Sequence, residues 1–437
     1  MSKITIIGGG PAGLATAYYS KKNKIDFELF EAGSKFGGNC ITINSNKFYF
    51  DSGAHRLHDK DSETTKLFIN LLKGKLKKIH VPSQIYYKSK FIDFPISPLN
   101  LIKFLGVSKF FFFGIKIILG RLFLKKGDNF KQQTIYNFGK EISSMFLLNY
   151  SEKLWGFACE NLSPNISGKR LKGLNLYTLF IEMVFGKIKK TSHLDGSFYY
   201  PDYGIGTLFD TLSENIGKKK LQLNSYITKV YHDNNNINSI VINNSDHKNI
   251  EKVVSSIPID KFINIMSPPP PKEVLDAAKN IMFRNVILIA FFINKKSINK
   301  NGSMYFPSKE YLFTRIYEPK NRSKYMAPKN KTSLIVEVPC FNSDTIWTKN
   351  KSEIINDIKK QILTLNFFKE SEIIDNNVFK ISNAYPVLEK DYFKKTKVIV
   401  NYISKFKNLN MIGRNGLFEY SHIHDHFKDA RKLFKKK

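Results

Sequence analysis

The pattern of apolar and polar positions changes period twice near the start of the chain, and these changes predict the first structural unit. "KITIIGGG" (3–10) is a short run of β-branched residues that ends in glycines, which is typical of a buried strand entering a tight turn. "PAGLATAYYSKKN" (11–23) follows with helix-forming composition, and "DFELFEA" (26–32) returns to strand composition. The sequence therefore predicts a βαβ unit over residues 3–31.

Three later segments carry further secondary-structure signals. Residues 95–190 are rich in helical periodicity and aromatics, 221–257 read as short strands around an Asn-rich turn, and 284–340 have strand-type composition. "SPPPPKE" (267–273) predicts a stiff, polyproline-like connector. With 437 residues, of which 42% are hydrophobic, the chain is long enough for two or three folded domains.

The most apolar region, "LIKFLGVSKFFFFGIKIILGRLFL" (101–124), is interrupted by four basic residues, Lys103, Lys109, Lys116 and Arg121. It therefore lacks the roughly 20 continuous apolar residues that a membrane span requires. Two interpretations stay open for it. It is either a helical lid over a substrate domain, or a peripheral membrane contact in which aromatics enter the lipid and lysines meet anionic headgroups.

The net charge of +32 raises the question of a nucleic-acid partner. Only 8 of the 69 basic residues are arginine, however, and the lysines are spread along the whole chain. Nucleic-acid recognition depends strongly on the bidentate arginine fork, so we expect no nucleic-acid partner. An anionic lipid surface or a nucleotide-sugar substrate fits the same charge.

The three cysteines, Cys40, Cys159 and Cys340, are far apart and follow no metal or redox spacing. This usage is typical of a reducing compartment. The sequence also begins directly with the first predicted strand, without a charged leader and apolar run. We expect a cytoplasmic protein, with membrane association only through residues 101–124.

Glycines in "GGGPAGLATA" match the dinucleotide-binding pattern G-x-G-x-x-G. Gly8 allows the tight turn, Gly10 lets a pyrophosphate approach the backbone, and Gly13 lets the helix pack on the strand. The helix that begins here points its N–H groups at the phosphates. Glu31 ends the second strand about 20 residues on, where a carboxylate accepts hydrogen bonds from ribose hydroxyls. Two more glycines, Gly204 and Gly206 in "YGIGTL", lack a third glycine and a preceding buried strand, so we expect no second nucleotide-binding loop there.

The segments that follow the fingerprint, "EAGSKFGGNC" (31–40) and "FYFDSGAHRLH" (48–58), resemble the flavin amine oxidase superfamily. The resemblance is strongest to its branch of protoporphyrinogen-oxidase-like proteins and UDP-galactopyranose mutases. Counterparts of the same order and spacing are "NYSEKLWGFACENLSPNISGKRLKGL" (149–174), "YYPDYGIGTLFDTL" (199–212), "FRNVILIAFFI" (283–293), "NAYPVLEKDY" (383–392) and "MIGRNGLFEY" (411–420).

This resemblance implies an α/β fold: an FAD-binding Rossmann-like (GR2-type) domain with a second, mixed α+β substrate domain. The FAD-binding domain is expected to be discontinuous, built from residues 1–75, 195–265 and 390–437. Residues 76–194 and 266–389 would form the substrate domain with its helical lid, and the active site would lie between the two domains. The FAD is expected to be non-covalent, because no cysteine follows Cys340 to form a C-terminal thioether link.

The resemblance also assigns site residues. His55 and Arg56 are predicted to be catalytic, although a structural histidine and loop-locking arginines remain open alternatives. The predicted substrate-binding residues are Arg170, Arg315, Tyr317, Tyr385 and Tyr420. The predicted cofactor-binding residues are Gly8, Gly10, Pro11, Ala12, Gly13, Glu31, Ala32, Gly37, Gly38, Asn39, Val230, Gly413, Arg414, Asn415 and Gly416.

The function implied is that of an FAD-dependent oxidoreductase that transfers a hydride from a small organic substrate to flavin N5, in a group often associated with cell-surface polysaccharide synthesis. One alternative is a UDP-galactopyranose-mutase-like isomerase that uses reduced FAD as a nucleophile, with Arg170 and Arg315 holding the diphosphate. Another is a non-catalytic FAD-binding scaffold. "GAHRLH" and "GRNG" differ from the usual mutase forms and favour the oxidase-like group.

"NMIGRNGLFEYSHIHDHF" (410–427) places His422, His424 and His426 around Asp425. On a helix His422 and His426 would share a face but His424 would not, and a metal needs ligands that converge. We therefore predict no metal site there; the resembled family uses G-R-x-G to bring backbone N–H groups under the flavin. That family usually has Asp where this chain has His424, so the flavin-facing residue within 420–426 stays open.

Overall fold

A five-stranded parallel sheet forms the first layer of the molecule. We describe residues 2–123, 127–167, 197–233 and 235–435 of a computed structural model. The central strand, Ile4–Ile7, pairs in parallel with Phe27–Phe30 on one side and Lys252–Ser255 on the other. The strand order is Leu409–Met411, Lys252–Ser255, Ile4–Ile7, Phe27–Phe30 and Leu221–Gln222.

Helices cover this sheet because their apolar faces pack on its buried β-branched and aromatic residues. Helix Pro11–Lys22 presents Leu14 and Ala15, both with no exposed surface, to the sheet. Asp61 starts the next helix by accepting a hydrogen bond from the Thr64 N–H at 3.2 Å, a standard N-cap. The helices that contribute to this core are Pro11–Lys22, Ser62–Leu72, Gly206–Ile216 and Ile423–Lys432.

A seven-stranded mixed sheet forms the second layer. Two of its long strands, Phe283–Ile293 and Thr332–Cys340, pair antiparallel over nine positions and are almost entirely buried. Helix Lys351–Leu363 covers one face with Ile354, Ile358 and Ile362. The strand order is Ile373–Pro386, Phe283–Ile293, Thr332–Cys340, Arg315–Tyr317, Ser303–Tyr305, Ser83–Tyr87 and Lys90–Phe94.

The remaining elements are smaller. The other strands are Asp246–Asn249, Ile237–Ile242, Ile227–His232 and Met266–Ser267 in a four-stranded sheet, with the pairs Thr42–Ser45/Phe48–Asp51 and Leu76–His80/Ser197–Pro201. The other helices are Pro98–Leu105, Val107–Phe123, Phe130–Phe138, Lys140–Ile142, the π-helical Ser143–Leu148, Asn149–Trp155, Ile259–Asn264, Lys272–Lys279, Thr345–Thr348 and Tyr392–Ile403, besides short 3₁₀ turns.

The predicted fold class is confirmed, with a parallel α/β layer beside a mixed sheet. The parallel sheet takes its strands from residues 4–30, 221–255 and 409–411, while the division into two domains at the stated boundaries stays a prediction. A helix begins at Gly206. A side chain at Gly204 would collide with Thr42 and Asp51, so these glycines serve close packing.

Candidate functional site

A cavity of about 950 Å³ joins the parallel sheet to the mixed sheet. On one side it is lined by residues that directly follow parallel strands, such as Gly8, Glu31 and Ser256. On the other side it reaches Arg315 and Tyr385 of the mixed sheet. Ligands of open α/β sheets bind at the carboxyl ends of the strands, and the volume lies near the top of the roughly 300–1,000 Å³ range of small-molecule and cofactor pockets.

The glycine turn after the first strand lets the following helix pack closely on the strand and leaves room for a ligand at the start of that helix. Gly8 has φ of +100°, a left-handed conformation that favours glycine. A Cβ on Gly13 would lie 1.8 Å from the Gly8 carbonyl oxygen, so only glycine lets the helix pack here. Gly10 is the N-cap of helix Pro11–Lys22 and supplies no side-chain cap, which leaves the first helical N–H groups to a ligand.

Glu31 ties this turn to the following loop. Its carboxylate accepts hydrogen bonds from the N–H groups of Gly9, at 2.6 Å, and Gly33, at 2.7 Å, while the residue also lines the cavity beside Ala32. A carboxylate offers about four acceptor positions. Two are therefore engaged by backbone, and the remainder can accept hydroxyl groups.

Two loops meet over the middle of the cavity. Asn39, from the Gly37-Gly38 turn, donates from Nδ2 to the Asn383 carbonyl oxygen at 3.2 Å, and Asn415 donates to the same oxygen at 2.8 Å. Within the described residues the buried Asn415 Oδ1 has no donor. An unsatisfied buried acceptor is costly in the absence of a partner, and a ligand N–H would satisfy it.

His55 and Arg56 both line the cavity. Burial, together with the positive charges of Arg414 and Arg315, lowers the pKa of His55 to about 3, so its imidazole is neutral at physiological pH. Its Nδ1 lies 3.8 Å from the Cys40 Sγ. The guanidinium of Arg56 packs 4.8 Å from the centre of the Phe198 ring.

Arg315 is paired with an acidic residue on the neighbouring strand. Its Nε donates to Glu337 Oε2 at 2.8 Å, and the other Glu337 oxygen accepts from the Ala54 N–H at 3.0 Å. Burial alone would lower the pKa of Arg315, but the negative charge of Glu337 outweighs it, and the pKa is raised well above its usual value. The mutase interpretation needs an arginine free to grip a diphosphate, and this guanidinium is already largely neutralised.

An aromatic wall closes the cavity on the side of the mixed sheet. The Trp155 ring meets Tyr385 and Tyr420 edge-on, each at 6.1 Å between centroids. Arg414 lies over both tyrosine rings, at 5.7 and 5.3 Å, and donates to the Ser421 carbonyl oxygen. Burial raises the pKa of Tyr385, so its phenol stays protonated.

Two predicted site residues lie away from the cavity. Val230 is fully buried in the core with Ile7, and its N–H donates to the Ile265 carbonyl. Tyr317 is also buried, and its hydroxyl donates to the Asp51 carbonyl at 2.9 Å. Both side chains pack in the protein core and are not among those that line the cavity. Their roles in binding stay predictions.

Other predicted residues support the cavity from behind or lie outside the described residues. Gly13, Gly37 and Gly416 are not among the lining residues; a Cβ on Gly416, for example, would lie 2.3 Å from the Ile412 carbonyl oxygen. Arg170 lies outside the described residues. All other predicted cofactor and substrate residues line the cavity: Gly8, Gly10, Pro11, Ala12, Glu31, Ala32, Gly38, Asn39, Arg315, Tyr385, Gly413, Arg414, Asn415 and Tyr420.

Several lining residues were not predicted from the sequence, among them Tyr150, Trp155, Tyr305 and Glu337. Glu337 had a usable signal, because it is the single acid in the apolar strand "TSLIVEVPC". A buried charge requires a partner, and the nearest strand provides Arg315.

The histidine-rich stretch opens the C-terminal helix. His422 is the N-cap of Ile423–Lys432, and its N–H donates to Asp425 Oδ2 at 2.9 Å. His422 and His426 line the cavity. Across the described ranges, no cluster of three or more His, Cys, Asp or Glu side chains is arranged to hold a metal ion.

His426 should make the protein acid-labile. Burial, followed by repulsion from Arg414, lowers its pKa from 6.5 to about 3. Below pH 6.5 the His426 imidazole binds a proton in the unfolded chain, whereas in the folded chain it stays neutral until the pH approaches 3. The neutral His426 imidazole therefore contributes fully to the free energy of unfolding above pH 6.5. This contribution is lost as the pH falls from 6.5 towards 3, by at most about 1.4 kcal/mol per pH unit.

Denaturant unfolding at several pH values tests this. We expect His426→Gln to reduce the fall in unfolding free energy between pH 6.5 and 3, while the part due to His55 remains. His80→Gln, at an exposed position, should leave the fall unchanged. An unaltered slope in the His426 variant would show that this imidazole does not resist protonation.

A glycine turn at the first strand of a parallel sheet, opening on a cavity shared with a second sheet, defines a dinucleotide-binding protein of the Rossmann type. The chain belongs to the family of flavin containing amine oxidoreductases, whose family model matches residues 11–372. The family assignment made from the motifs is thereby confirmed, and the family implies a flavin cofactor.

Comparison with individual proteins gives sequence similarity to one relative and structural similarity to two others. The mitochondrial protoporphyrinogen oxidase of Nicotiana tabacum is 24% identical over 260 residues, covering 52% of this chain and 50% of that protein. The chain therefore spans about half the length of the curated relatives it matches. A reduced UDP-galactopyranose mutase structure has a TM-score of 0.85 at 18% identity, covering 98% of this chain and 94% of the other.

A protein of Exiguobacterium sp. 255-15, provisionally assigned as a protoporphyrinogen oxidase, gives a TM-score of 0.78 at 14% identity, with 99% and 97% coverage. At these identities the structural likeness establishes the fold. In the part of the chain that the structure describes, no helix is both long and apolar enough to cross a membrane.

Proposed function

We propose that the protein is an FAD-dependent oxidoreductase that holds FAD non-covalently and removes a hydride from a small organic substrate. The observation that carries this proposal is the cavity itself, which runs from a phosphate-type glycine turn to an aromatic wall. The one arginine of the mixed sheet in the wall, Arg315, is neutralised by Glu337. An aromatic wall whose mixed-sheet arginine is paired with an acid suits a substrate that is uncharged or weakly charged where it meets this wall.

The chain's own groups fit FAD along the cavity. Gly8, Gly10 and the uncapped start of helix Pro11–Lys22 would hold the pyrophosphate, and Glu31 the ribose. Asn415, whose Oδ1 lacks a donor among the described residues, would accept from the flavin ring. FAD supplies a hydride acceptor at its N5 atom when bound.

At the substrate end, the residues of this chain would orient the substrate and exclude water. Tyr385 and Tyr420 lie with their rings 25° from parallel and 6.5 Å apart, and both line the cavity. The neutral imidazole of His55 can accept or donate a hydrogen bond without adding charge. Arg414 adds positive charge near the position proposed for the flavin, where charge develops on reduction.

A second candidate is a UDP-galactopyranose-mutase-like isomerase acting on a nucleotide sugar, and its support is the cationic lining. Arg56, Lys60 and Arg414 line the cavity in addition to the paired Arg315, and a diphosphate would be attracted to them. A role in cell-surface polysaccharide synthesis is part of either proposal and rests on the sequence resemblance. A non-catalytic scaffold would use the cofactor side alone.

Anaerobic spectroscopy of the FAD-loaded protein separates these functions. An oxidoreductase should lose its visible flavin absorbance when its organic substrate is added, with protoporphyrinogen-type and amine substrates tried first. Conversion of UDP-galactopyranose only after dithionite reduction, with no bleaching by substrate, would select the mutase instead. A flavin that neither bleaches nor supports isomerisation with any substrate tested would favour the scaffold.

A further inference from the structure

The helices Pro98–Leu105 and Val107–Phe123, which we call the helix pair, carry an apolar surface on the outside of the molecule. Seven large apolar side chains of the second helix are between 50% and 86% exposed. Five of them repeat every fourth residue and so form one continuous stripe. The seven are Val107, Phe111, Phe112, Ile115, Ile118, Leu119 and Phe123.

The same helix is also apolar on its inner face. Ile117 is only 4% exposed, and Phe110 and Phe113 pack with it against the core beneath the helix pair. The inner face therefore already anchors the helix to the core. No other part of the described chain covers the outer stripe. A monomer rarely exposes more than a few hundred Å² of contiguous apolar surface without a binding role.

The charges around the stripe identify what covers it. Residues 96–127 contain six basic residues and no acidic residue. Lys103, Lys109 and Lys116 are exposed, although Lys116 also contacts Glu141. A second copy of the chain would place this positive segment against itself, and protein interface cores are depleted of lysine. An anionic lipid surface complements both the apolar stripe and its basic rim.

We infer that the helix pair docks on the surface of an anionic lipid bilayer, lying in the plane of the headgroups. The inference does not depend on the flavin chemistry. The helix pair shares its core with the cavity wall, since Ile85 and Phe146 belong to both. Docking would therefore place the substrate end of the cavity next to the bilayer.

Sedimentation of the full-length protein with lipid vesicles tests this inference. We expect binding to vesicles of phosphatidylcholine mixed with phosphatidylglycerol, and weaker binding at high salt. Phe111→Ser/Ile115→Ser/Leu119→Ser should weaken binding on the order of a hundredfold. Lys103→Gln/Lys109→Gln should weaken it about twentyfold on the anionic vesicles and little on pure phosphatidylcholine.

A matched control removes exposed apolar residues elsewhere. Phe393→Ser/Val400→Ser changes residues that are 67% and 46% exposed on helix Tyr392–Ile403, and binding should be unchanged. The inference is overturned if the wild type fails to bind anionic vesicles, or if the control loses as much binding as the triple variant. It is also overturned if light scattering shows that the wild type is a dimer and the triple variant is a monomer, because the stripe would then be a dimer interface.

Discussion

Replacing Gly13 by alanine is expected to remove the flavin from the purified protein and to lower its free energy of unfolding by about 3 kcal/mol. The new Cβ would lie 1.8 Å from the Gly8 carbonyl oxygen. Neither atom can rotate away, because the Cβ is bonded directly to the Cα and the oxygen belongs to the backbone. Relief requires the helix Pro11–Lys22 to move off the first strand, which distorts the proposed pyrophosphate cradle. Flavin absorbance after desalting and denaturant unfolding measure the two effects.

Gly114 is the matched control, because it also lies within a helix but a Cβ there meets nothing within 4 Å. Gly114→Ala should retain the flavin and gain up to about 1 kcal/mol of stability from helix propensity. A Gly13 variant that keeps both flavin and stability would contradict the packing described for the first turn.

Removing the charge of Glu337 should have the second large effect. Glu337→Gln leaves the Arg315 guanidinium, 14% exposed, without the carboxylate that neutralises it. Breaking a buried ion pair on one side costs about 3–5 kcal/mol. It also weakens the acceptor for the Ala54 N–H, so the segment that carries His55 should loosen.

Denaturant unfolding measures this loss, with two comparisons. The double variant Glu337→Gln/Arg315→Gln should lose less than the sum of the two single variants, because the unpaired charge is gone. Asp391→Asn breaks an exposed pair with Lys394, whose side chains are 62% and 82% exposed, and should change stability by less than about 0.5 kcal/mol. Additive losses at Arg315 and Glu337 would mean that the pair is not coupled.

The sequence was informative where structure is local. The glycine turn, the helix after it and Glu31 lie within about thirty residues, and their spacing alone is sufficient to predict a strand, a turn and a helix. The cavity lining contains most of the residues assigned through the family resemblance. Their roles in binding and catalysis stay predictions.

The sequence was less informative where a position depends on distant segments. Arg315 and Tyr317 lie on one face of a strand opposite Glu337 and Ile335. The hairpin residues Phe48 and Phe50 cover the Tyr317 end of that face, and only the Arg315 end is left to the cavity. No local sequence pattern shows how far the hairpin extends over this face, so the burial of the Tyr317 side chain could not be predicted from the sequence.

Val230 shows the same difficulty at the cofactor side. The chain reaches the cavity through Ser225, Tyr226 and Ile227, a few residues before Val230, which turns into the core. The alternation of apolar and polar residues along a strand predicts which residues are buried. It does not predict whether a neighbouring element or a ligand covers them.

Flavin content tests the central claim most directly. The protein is expressed with FAD, desalted, and its visible spectrum and released cofactor are measured. We predict a yellow protein with one FAD per chain, all of it released intact by acid denaturation because it is held non-covalently. A colourless protein that also fails to take up added FAD would contradict the account of the cavity, and flavin that stays attached to the denatured chain would contradict its non-covalent binding.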